Sequence, residues 1–461
     1  MSDEGLEQAR KKMQEAGVDP VAIDVFAHYY RLVESGESGM VPESTIEPID
    51  MEALADVEVS DQAAHDAIGT TVVIKLNGGL GTSMGMDRAK SLLEVRGGLT
   101  FLDVIARQVL AVRKQHDARL PLIFMDSFRT SADTMAALAP YPDLAVDGLP
   151  LEFLQNKEPK LRADDLTPVT WEKEPDLEWC PPGHGDIYTA LRGTGLLQQL
   201  IDAGYTQVFV SNSDNLGAVP DPRVAGWFAQ SGAPFAIEAV RRTASDRKGG
   251  HFATRKSDGR IILRETAQTL DEDKEALADL SRHRYASTNN LWFNLEAMRD
   301  ELDRRDGILG LAMIKNTKTV DPADSSSPEV IQIEAAMGAA IEVFDGATTI
   351  EVGRDRFVPV KTTNDLLVLR SDCYELGDGY VLEQHPEKVP FVDLDSKFYK
   401  LMQDFDQRFP EGVPSARRAT SFVVHGDWTF GKDVILVGDV ELDAPRDGAG
   451  RVEPGARLGA G

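Results

Sequence analysis

The chain has 461 residues, of which 42% are hydrophobic and 27% are charged. This length and composition suit a globular protein of two or three domains with a sizeable core. Acidic residues outnumber basic ones by 76 to 49, and the formal charge of −27 repels nucleic acid and anionic membranes. A phosphorylated ligand would therefore need positive charge concentrated at one place.

The sequence shows no sign of membrane insertion or secretion. No run approaches the roughly 18 apolar residues of a membrane span, and the first residues, MSDEG, are acidic where a secretory signal would be basic and then apolar. Two cysteines, Cys180 and Cys373, are too few for a disulfide framework or the usual metal cluster. These features predict a cytoplasmic protein.

Residues 1–60 are expected to form a helical N-terminal segment. Leu6, Ala9 and Met13 recur at helical spacing, and residues 21–33 offer a second apolar stripe before the loop 35–39. The pattern predicts two helices that pack against a larger domain.

Residues 61–375 have the pattern of an α/β core. Short apolar, β-branched runs alternate with helical stretches such as 101–116 and 190–203, which predicts a mixed, mostly parallel sheet covered on both faces. Ligands of such sheets bind beyond the carboxyl ends of the strands. The four runs lie at residues 71–76, 120–125, 207–210 and 235–240.

Residues 416–461 have a different period, and residues 376–415 are expected to connect them to the core. A six-residue apolar period fits neither a helix nor an alternating strand, but it suits the coils of a β-helix. The pattern therefore predicts a short C-terminal β-helix domain. The periodic residues are Val424, Phe430, Leu436 and Leu442, followed by Val452 and Leu458 after an insertion at 443–450.

The first strand of the core runs into a glycine-rich loop, LNGGLGTSMG at 76–85. Glycines let backbone N–H groups approach a phosphate or a base. The loop lacks both the G-x-G-x-x-G dinucleotide fingerprint and the G-K-[ST] of a Walker loop. Lys90 follows Gly81 by nine residues, and a point cation there suits a triphosphate better than a hydride carrier.

The second loop is PPGHGD at 181–186. The two prolines stiffen the approach and the glycines open the backbone, so His184 is presented on a rigid turn beside Asp186. A lone histidine is more often structural, but this setting favours a functional one.

The third loop, SNSDNLG at 211–217, directly follows an apolar strand. Mg²⁺ prefers one or two carboxylates together with phosphate oxygens and water, so Asp214 is a candidate magnesium ligand. The alternative is an Asx-turn that only closes the strand.

Two further lysines stand in unusual settings. Lys248 lies beside paired glycines, and Lys361 ends the short β-branched run VPV. Surface lysines are normally solvated and idle, but together with Lys90 these two could supply the local positive charge that the acidic chain requires.

The loops occur in the order found in one enzyme family. The sequence resembles the eukaryotic type of UTP–glucose-1-phosphate uridylyltransferase, also called UDP-glucose pyrophosphorylase, from about residue 72 to 458. The resemblance implies a Rossmann-like nucleotidyltransferase core and a C-terminal left-handed β-helix. The motifs that carry it are LNGGLGTSMG (76–85), PPGHGDIY (181–188), SNSDNLG (211–217), KGG (248–250), TNNLW (288–292), IQIEAAMGAAI (331–341), PVKTT (359–363) and GDWTFGKDV (426–434).

The resemblance also implies roles for single residues. Lys90, Lys361 and Asp214 would act on the phosphates, with Asp214 as the Mg²⁺ ligand. The nucleotide side would be formed by Leu76, Asn77, Gly78, Gly79, Arg88, Met125, Gln155 and Gly183. The sugar-phosphate side would be lined by His184, Asn212, Lys248, Gly250, Glu265 and Asn290.

The family pattern departs at one place. The usual M-G-x-K-G-P-K-S reads MGMDRAKS at 84–91, so Asp87 replaces a lysine while Lys90 remains. Arg88 could replace the lost cation one residue later, or point away and leave pyrophosphate binding weaker. We favour the replacement.

The reaction implied is the reversible conversion of UTP and glucose 1-phosphate to UDP-glucose and pyrophosphate, assisted by Mg²⁺. A broad-specificity UDP-sugar pyrophosphorylase and a catalytically silent nucleotide-binding regulator stay open as alternatives, and a dehydrogenase has little support beyond the glycine-rich turn. The oligomeric state is also open, since the C-terminal domain of the family can mediate self-association.

Overall fold

The computed structural model describes residues 2–37, 39–243, 246, 249–322, 324–444 and 448–459. The helices lie between Ser2 and Arg408. They are α1 (Ser2–Glu15), α2 (Pro20–Glu34), α3 (Asp61–Gly69), α4 (Phe101–His116), α5 (Ser131–Leu138), α6 (Ile187–Gly193), α7 (Leu196–Asp202), α8 (Pro222–Ser231), α9 (Lys274–Ala278), α10 (Leu295–Arg304), α11 (Thr363–Arg370), α12 (Ser396–Tyr399) and α13 (Met402–Arg408).

Strands alternate with these helices in the first three quarters of the chain and dominate the last part. They are β1 (Ile46–Glu47), β2 (Thr71–Leu76), β3 (Glu94–Arg96), β4 (Leu99–Thr100), β5 (Leu122–Asp126), β6 (Glu152–Leu154), β7 (Glu158–Pro159), β8 (Leu161–Arg162), β9 (Trp179–Cys180), β10 (Gln207–Asn212), β11 (Phe235–Arg241), β12 (His251–Arg255), β13 (Ile261–Arg264), β14 (Tyr285–Asn294), β15 (Met313–Thr319), β16 (Glu329–Ala335), β17 (Thr348–Glu351), β18 (Tyr374–Leu376), β19 (Leu382–Gln384), β20 (Phe391–Leu394), β21 (Ser415–Val424), β22 (Asp427–Phe430), β23 (Ile435–Leu442), β24 (Ala449–Val452) and β25 (Arg457–Leu458).

A seven-stranded sheet forms the centre of the molecule, with the strand order β17-β11-β14-β10-β2-β5-β6. The β10-β2-β5-β6 pairs and the β11-β17 pair are parallel. Strand β14 is antiparallel to both of its neighbours. The prediction of a mixed, mostly parallel sheet is therefore confirmed.

The central sheet separates two hydrophobic cores, because successive residues of a strand point to opposite faces. Val72 and Ile74 of β2 belong to the core that includes the N-terminal helices α1 and α2. Val73, between them, belongs to the other core, which continues into the C-terminal strands. The N-terminal helix pair thus packs on the larger unit, as its apolar spacing predicted.

Two local predictions need correction, and one strand was missed. The stretch 190–203, predicted as one helix, is α6 and α7, because Gly195 between them has a φ of +75° that a helix cannot continue through. The strand predicted at 120–125 begins at Leu122, since Leu120 has a φ of +33°. Strand β14 was not predicted, because polar residues interrupt its apolar pattern.

The C-terminal strands form two small parallel sheets. One has the order β20-β21-β23-β25, and the other pairs β22 with β24. Val424 lies opposite Leu442, Phe430 opposite Val452, and Leu436 opposite Leu458. The residues of the six-residue period therefore meet in register. Four of them are buried, namely Val424, Phe430, Leu436 and Val452.

No helix in the described ranges is long and apolar enough to cross a membrane. Both cysteines, Cys180 and Cys373, are buried and free, in agreement with the expectation that they form no disulfide framework.

Candidate functional site

The glycine-rich loop and the loop after β10 lie side by side at the carboxyl edge of the central sheet. The last residues of β2 and β10, Leu76 and Asn212, are in register. The carbonyl oxygen of Leu76 accepts hydrogen bonds from the backbone N–H and the hydroxyl of Ser213, at 3.1 and 2.6 Å. The first and third loops are thus brought together where ligands of open α/β sheets bind.

Lys90 and Asp214 form an ion pair at this edge. The Lys90 Nζ lies 2.7 Å from Oδ2 of Asp214, and the two side chains are 17% and 23% exposed. The Lys90 ammonium also donates to the carbonyl oxygen of Val360, whose N–H donates to the carbonyl oxygen of Asp214 at 3.1 Å. The structure therefore joins the Lys90 segment, the Asp214 loop and the Val360 segment at one point.

Lys361 follows Val360 and its side chain is exposed. Its backbone N–H and that of Thr362 donate to Oδ2 of Asp365, at 2.9 and 2.8 Å, and Thr362 caps helix α11. Burial raises the pKa of Glu265, and the charge of Lys361 opposes that rise. The charge of Lys361 is therefore felt at Glu265, a residue of the predicted sugar-phosphate side.

The glycine-rich loop folds back on itself before it reaches Lys90. Leu80 pairs with Ala89, and the N–H of Lys90 donates to the carbonyl oxygen of Gly79 at 3.3 Å. The side chain of Arg88 is exposed, and the hydrogen bonds and ion pairs of the described residues include none that involves it. Arg88 is thus available to a ligand.

Asn77 ties the start of the glycine-rich loop to the neighbouring strand. Its N–H donates to the carbonyl oxygen of Met125 at 2.8 Å, and its Nδ2 donates to Asp126 and Thr134 at 2.8 Å each. Burial raises the pKa of Asp126 to about 7, and the hydrogen bonds that Asp126 accepts from Thr134, Asn77 and Thr130 oppose the rise. Asn77 therefore holds the loop in place, and Met125 lies buried beneath it.

Gln155 packs directly on Gly78. An ideal Cβ atom on Gly78 would lie 2.5 Å from Nε2 and 2.9 Å from Cδ of Gln155. Because Gly78 has no side chain, the side chain of Gln155 can lie directly against the loop. The structure thus brings together two residues that the resemblance assigned to the nucleotide.

Asp186 links the Gln155 segment to the PPGHGD loop. Its carboxylate accepts from the N–H of Asn156 at 2.6 Å and from Nδ2 of Asn156 at 2.9 Å. Burial raises the pKa of Asp186 to about 7, and the bonds from Asn156 oppose the rise. Asn156 was not identified from the sequence, because an asparagine beside a lysine in a loop carries no distinctive pattern.

The PPGHGD loop lies against Ala335. Gly183 has a φ of +82°, and an ideal Cβ there would lie 2.7 Å from the carbonyl oxygen of Ala335, so only glycine fits. The Nδ1 of His184 accepts from the N–H of Met337 at 2.9 Å. This bond places the ring hydrogen of the neutral imidazole on Nε2, and burial keeps it neutral by lowering the pKa to about 4.

Asn289 and Asn290 point in different directions from strand β14. Nδ2 of Asn289, a residue with a φ of +61°, donates to Oδ1 of Asn212 at 3.1 Å. Nδ2 of Asn290 donates to the buried carboxylate of Glu238 at 3.0 Å. Asn290 is fully buried, so the amide that faces the site is that of Asn289, which the sequence analysis did not name.

Gly250 and Glu265 are in close contact on the predicted sugar-phosphate side. An ideal Cβ on Gly250 would lie 2.7 Å from Oε2 of Glu265. Lys248, the other residue assigned to this region, lies outside the described residues. Gly250 and Glu265 therefore form the described part of this side, together with Asn212 and His184.

Glu43, His251 and His283 place three metal-ligand atoms within 4.8 Å of one another. The two rings are stacked, with centroids 3.8 Å apart and planes 5° apart, so their nitrogen lone pairs do not converge. Arg264 and Arg282 each donate to Glu43 at 2.6 Å. Burial and the neighbouring cationic groups lower the pKa of His251 to about 2. The surroundings are positive, and we assign no cation to this cluster.

The fold and the site define a nucleotide-binding α/β protein. It has a mixed sheet, a glycine-rich loop after the strand β2, and cationic and acidic side chains at the same sheet edge.

Comparison with known proteins narrows this class. The family model of UTP–glucose-1-phosphate uridylyltransferase matches residues 23–437. A relative of that name from Hordeum vulgare is 36% identical over 454 residues, which are 96% of this chain and 92% of that protein. One from Saccharomyces cerevisiae is 35% identical over 427 residues, or 91% and 83% of the two chains. The chain belongs to the UTP–glucose-1-phosphate uridylyltransferase family.

Solved structures agree with this assignment. A UDP-glucose phosphorylase from Trypanosoma brucei has a TM-score of 0.92 and 40% identity, covering 99% of this chain and 98% of that one. A variant of UDP-glucose pyrophosphorylase from Leishmania major, in complex with UDP-glucose, has a TM-score of 0.92 and 42% identity, covering 98% of each chain.

Proposed function

We propose that this protein converts UTP and glucose 1-phosphate to UDP-glucose and pyrophosphate, reversibly. The observation that carries the proposal is the convergence of Lys90, Asp214 and the Lys361 segment, with Lys90 Nζ 2.7 Å from Asp214. Membership of the family across most of the chain supports the same reaction.

This reaction requires that the two substrates be positioned and that cations lie near their phosphates, and it requires no strong general base. The phosphate of glucose 1-phosphate is already an anionic nucleophile near neutral pH. Its oxygen forms a bond to the α-phosphorus of UTP, while the bond from that phosphorus to the bridging oxygen breaks and pyrophosphate leaves. The reaction brings two polyanions together, and the cationic side chains of Lys90 and Lys361 stabilise their negative charge.

The nucleotide and the sugar phosphate would occupy opposite sides of the glycine-rich loop. The contact between Gly78 and Gln155 supports uracil recognition by the Gln155 amide. The Nε2–H of His184 and the amide of Asn289 are hydrogen-bond donors for the sugar-phosphate side. Gly250 and Glu265, which are in close contact, would line the same side.

We also propose that Mg²⁺ is the cofactor, and the donors at the site fit it. A single partly exposed carboxylate at a strand end, that of Asp214, leaves further positions to phosphate oxygens and water, as this ion prefers. Bound there, Mg²⁺ would supply charge neutralisation to the phosphates of UTP. Because Lys90 now contacts one oxygen of Asp214, this ion pair would rearrange when the nucleotide binds.

Three further proposals concern the fold of the C-terminal domain, self-association and the cellular compartment. The strands β21 to β25 alternate between two parallel sheets, which supports a short left-handed β-helix. The second proposal is self-association through this C-terminal domain. The buried free thiols Cys180 and Cys373 are compatible with a reducing compartment such as the cytoplasm.

The test is pyrophosphate release by the purified protein with UTP and Mg²⁺. Glucose 1-phosphate, galactose 1-phosphate and N-acetylglucosamine 1-phosphate are compared at equal concentrations. A strong preference for glucose 1-phosphate is expected. Comparable turnover of several sugars would replace the proposal with a broad-specificity enzyme. Binding of UTP with no turnover would replace it with a silent regulator.

The variant Lys361→Ala tests the assignment of the catalytic cation. We expect kcat to fall by roughly 10²–10³ while the KM for UTP changes less than about threefold, because a group that acts on developing charge contributes mainly in the transition state. A loss confined to KM would show that Lys361 only binds the ground state.

A further inference from the structure

The carboxylate of Glu238 is the centre of a buried polar network beneath the site. Glu238 lies in β11 and is fully buried. Its Oε1 accepts from Nε1 of Trp292 at 2.9 Å and from Nη2 of Arg356 at 2.7 Å. Its Oε2 accepts from Nδ2 of Asn290 at 3.0 Å and from Nε of Arg356 at 2.6 Å. Four donors from two separate segments thus hold one carboxylate.

Arg356 extends this hydrogen-bond network to the loop that follows β10. Its Nη1 donates to the carbonyl oxygen of Val219 at 3.0 Å, and its own carbonyl oxygen accepts from Nδ2 of Asn215 at 3.1 Å. Oδ1 of Asn215 accepts from the N–H of Val358 at 2.8 Å. Side chains at both ends therefore fasten the segment 356–358 to the loop 215–219.

The same two segments carry the proposed catalytic groups. Asp214 precedes Asn215, and Lys361 lies five residues after Arg356. The backbones touch, since an ideal Cβ on Gly217 would lie 2.3 Å from the carbonyl oxygen of Asp355. A shift of either segment would therefore change the separation of Asp214 from Lys361.

We propose that Glu238 is a positioning residue that fixes the Asp214 loop and the Lys361 segment relative to each other. The proposal rests on the function proposed above for those two residues. Glu238 acts through the planar guanidinium of Arg356, which a carboxylate holds at two points and in one orientation. Stability alone does not account for the pair, because apolar replacement of a buried ion pair is often neutral or stabilising.

The test separates position from stability with a neutral double variant. Glu238→Gln alone removes the two-point partner of the buried Arg356 charge and leaves it the longer ion pair with Asp221, at 3.6 Å, so a lower Tm is expected. Glu238→Gln/Arg356→Met removes both charges at similar side-chain length. It keeps one amide oxygen, which can still accept from Nε1 of Trp292, while the Asn290 amide, which donates to the other oxygen of Glu238, loses that acceptor. For this double variant we expect recovery of Tm, a kcat at least about 30-fold below that of the wild type, and a UTP KM within about threefold, since displacements near 1 Å cost about 10²-fold in rate.

Two further variants complete the experiment. Arg356→Lys keeps the charge but not the two-point contact, and we expect a reduced kcat with little change in Tm. Arg408→Met removes a partly buried ion pair with Asp427, 2.8 Å long, in the C-terminal region, and should lower Tm without changing kcat. This control measures how much of any kcat loss comes from stability.

The outcomes separate the two proposals. No UDP-glucose from the wild-type protein would remove the proposed function itself. An active wild type, together with wild-type kcat in Glu238→Gln/Arg356→Met or in Arg356→Lys, would overturn only the positioning role. A kcat that follows Tm across all variants, Arg408→Met included, would also overturn it.

Discussion

Gly78 offers a sharp test of nucleotide recognition, because its replacement acts through one neighbouring side chain. In Gly78→Ala, the new methyl group would lie 2.5 Å from Nε2, 2.9 Å from Cδ and 3.1 Å from Oε1 of Gln155. All three atoms belong to the end of a flexible side chain rather than to the backbone. We therefore expect the Gln155 amide to move away while the fold is kept.

The size of the effect follows from the hydrogen bonds that the displaced amide would no longer make. An amide and the edge of uracil can exchange about two hydrogen bonds, each contributing roughly 0.5–1.5 kcal/mol. A loss of about 1–3 kcal/mol corresponds to a rise of roughly 5- to 150-fold in the KM for UTP. The value of kcat should change little, because uracil lies away from the reacting phosphorus.

The assay is a double-mutant cycle of Gly78→Ala and Gln155→Ala on the KM for UTP. Gln155→Ala alone should give a rise of similar size. Once the side chain of residue 155 is truncated, the methyl group at residue 78 has room, so the double variant should be no worse than Gln155→Ala. In the reverse direction, the KM for pyrophosphate should be unchanged. Additive losses in the cycle would refute the reasoning, as would a Gly78→Ala enzyme with the wild-type KM for UTP.

Three other predictions concern charged groups. Asp214→Asn should raise the Mg²⁺ concentration needed for half-maximal activity or abolish turnover, and wild-type activity at the wild-type Mg²⁺ level would remove Asp214 from the site. Arg88→Ala should raise the KM for pyrophosphate roughly tenfold at an unchanged Tm, whereas Asp87→Ala should not. Burial lowers the pKa of Lys75 from 10.5 to about 7, so between these pH values the unfolded chain binds a proton that the folded chain lacks, and stability rises with pH across that window. Lys75→Met should remove this rise, on the order of a few kcal/mol, as measured by the Tm difference between variant and wild type from pH 6.5 to 10.

The pH dependence assigned to Lys75 has a structural origin. Its ammonium is buried and donates to the Ser211 hydroxyl and to the carbonyl oxygen of Ala218, at 2.7 Å each, and the charge of Arg356 adds to the effect of burial on its pKa. A Tm difference that stays constant over the whole range would show that Lys75 titrates alike in the folded and unfolded chains.

Much of the fold could be predicted from the sequence, because apolar spacing and helix caps are local patterns. Strand β2 and helix α4 lie where the apolar spacing placed them, and α4 begins at a capping box formed by Thr100 and Asp103. The residues at which a helix breaks or a strand begins were predicted less accurately. A single glycine at 195 divides a stretch whose apolar spacing continues on both sides.

The residues of the candidate site likewise divide into those that the sequence predicted and those that it did not. The motifs in the sequence led to Lys90, Asp214 and Lys361, because the loops that hold them have distinctive glycines and polar residues. No pattern in the sequence singles out Glu238 or Arg356, since a glutamate in an apolar strand and an arginine in a loop are ordinary until they face each other.

The class of sheet, the loops at its edge and the family could all be inferred from the linear chain. Periodicity and motifs are properties of neighbouring residues, and they survive in a linear chain. Folding, by contrast, is what brings Asn289 rather than Asn290 to Asn212, and Glu238 to Arg356 across 118 positions of the chain. Such pairs depend on how strands β10, β14, β11 and β17 are registered against one another, and that register exists only when the sheet has formed.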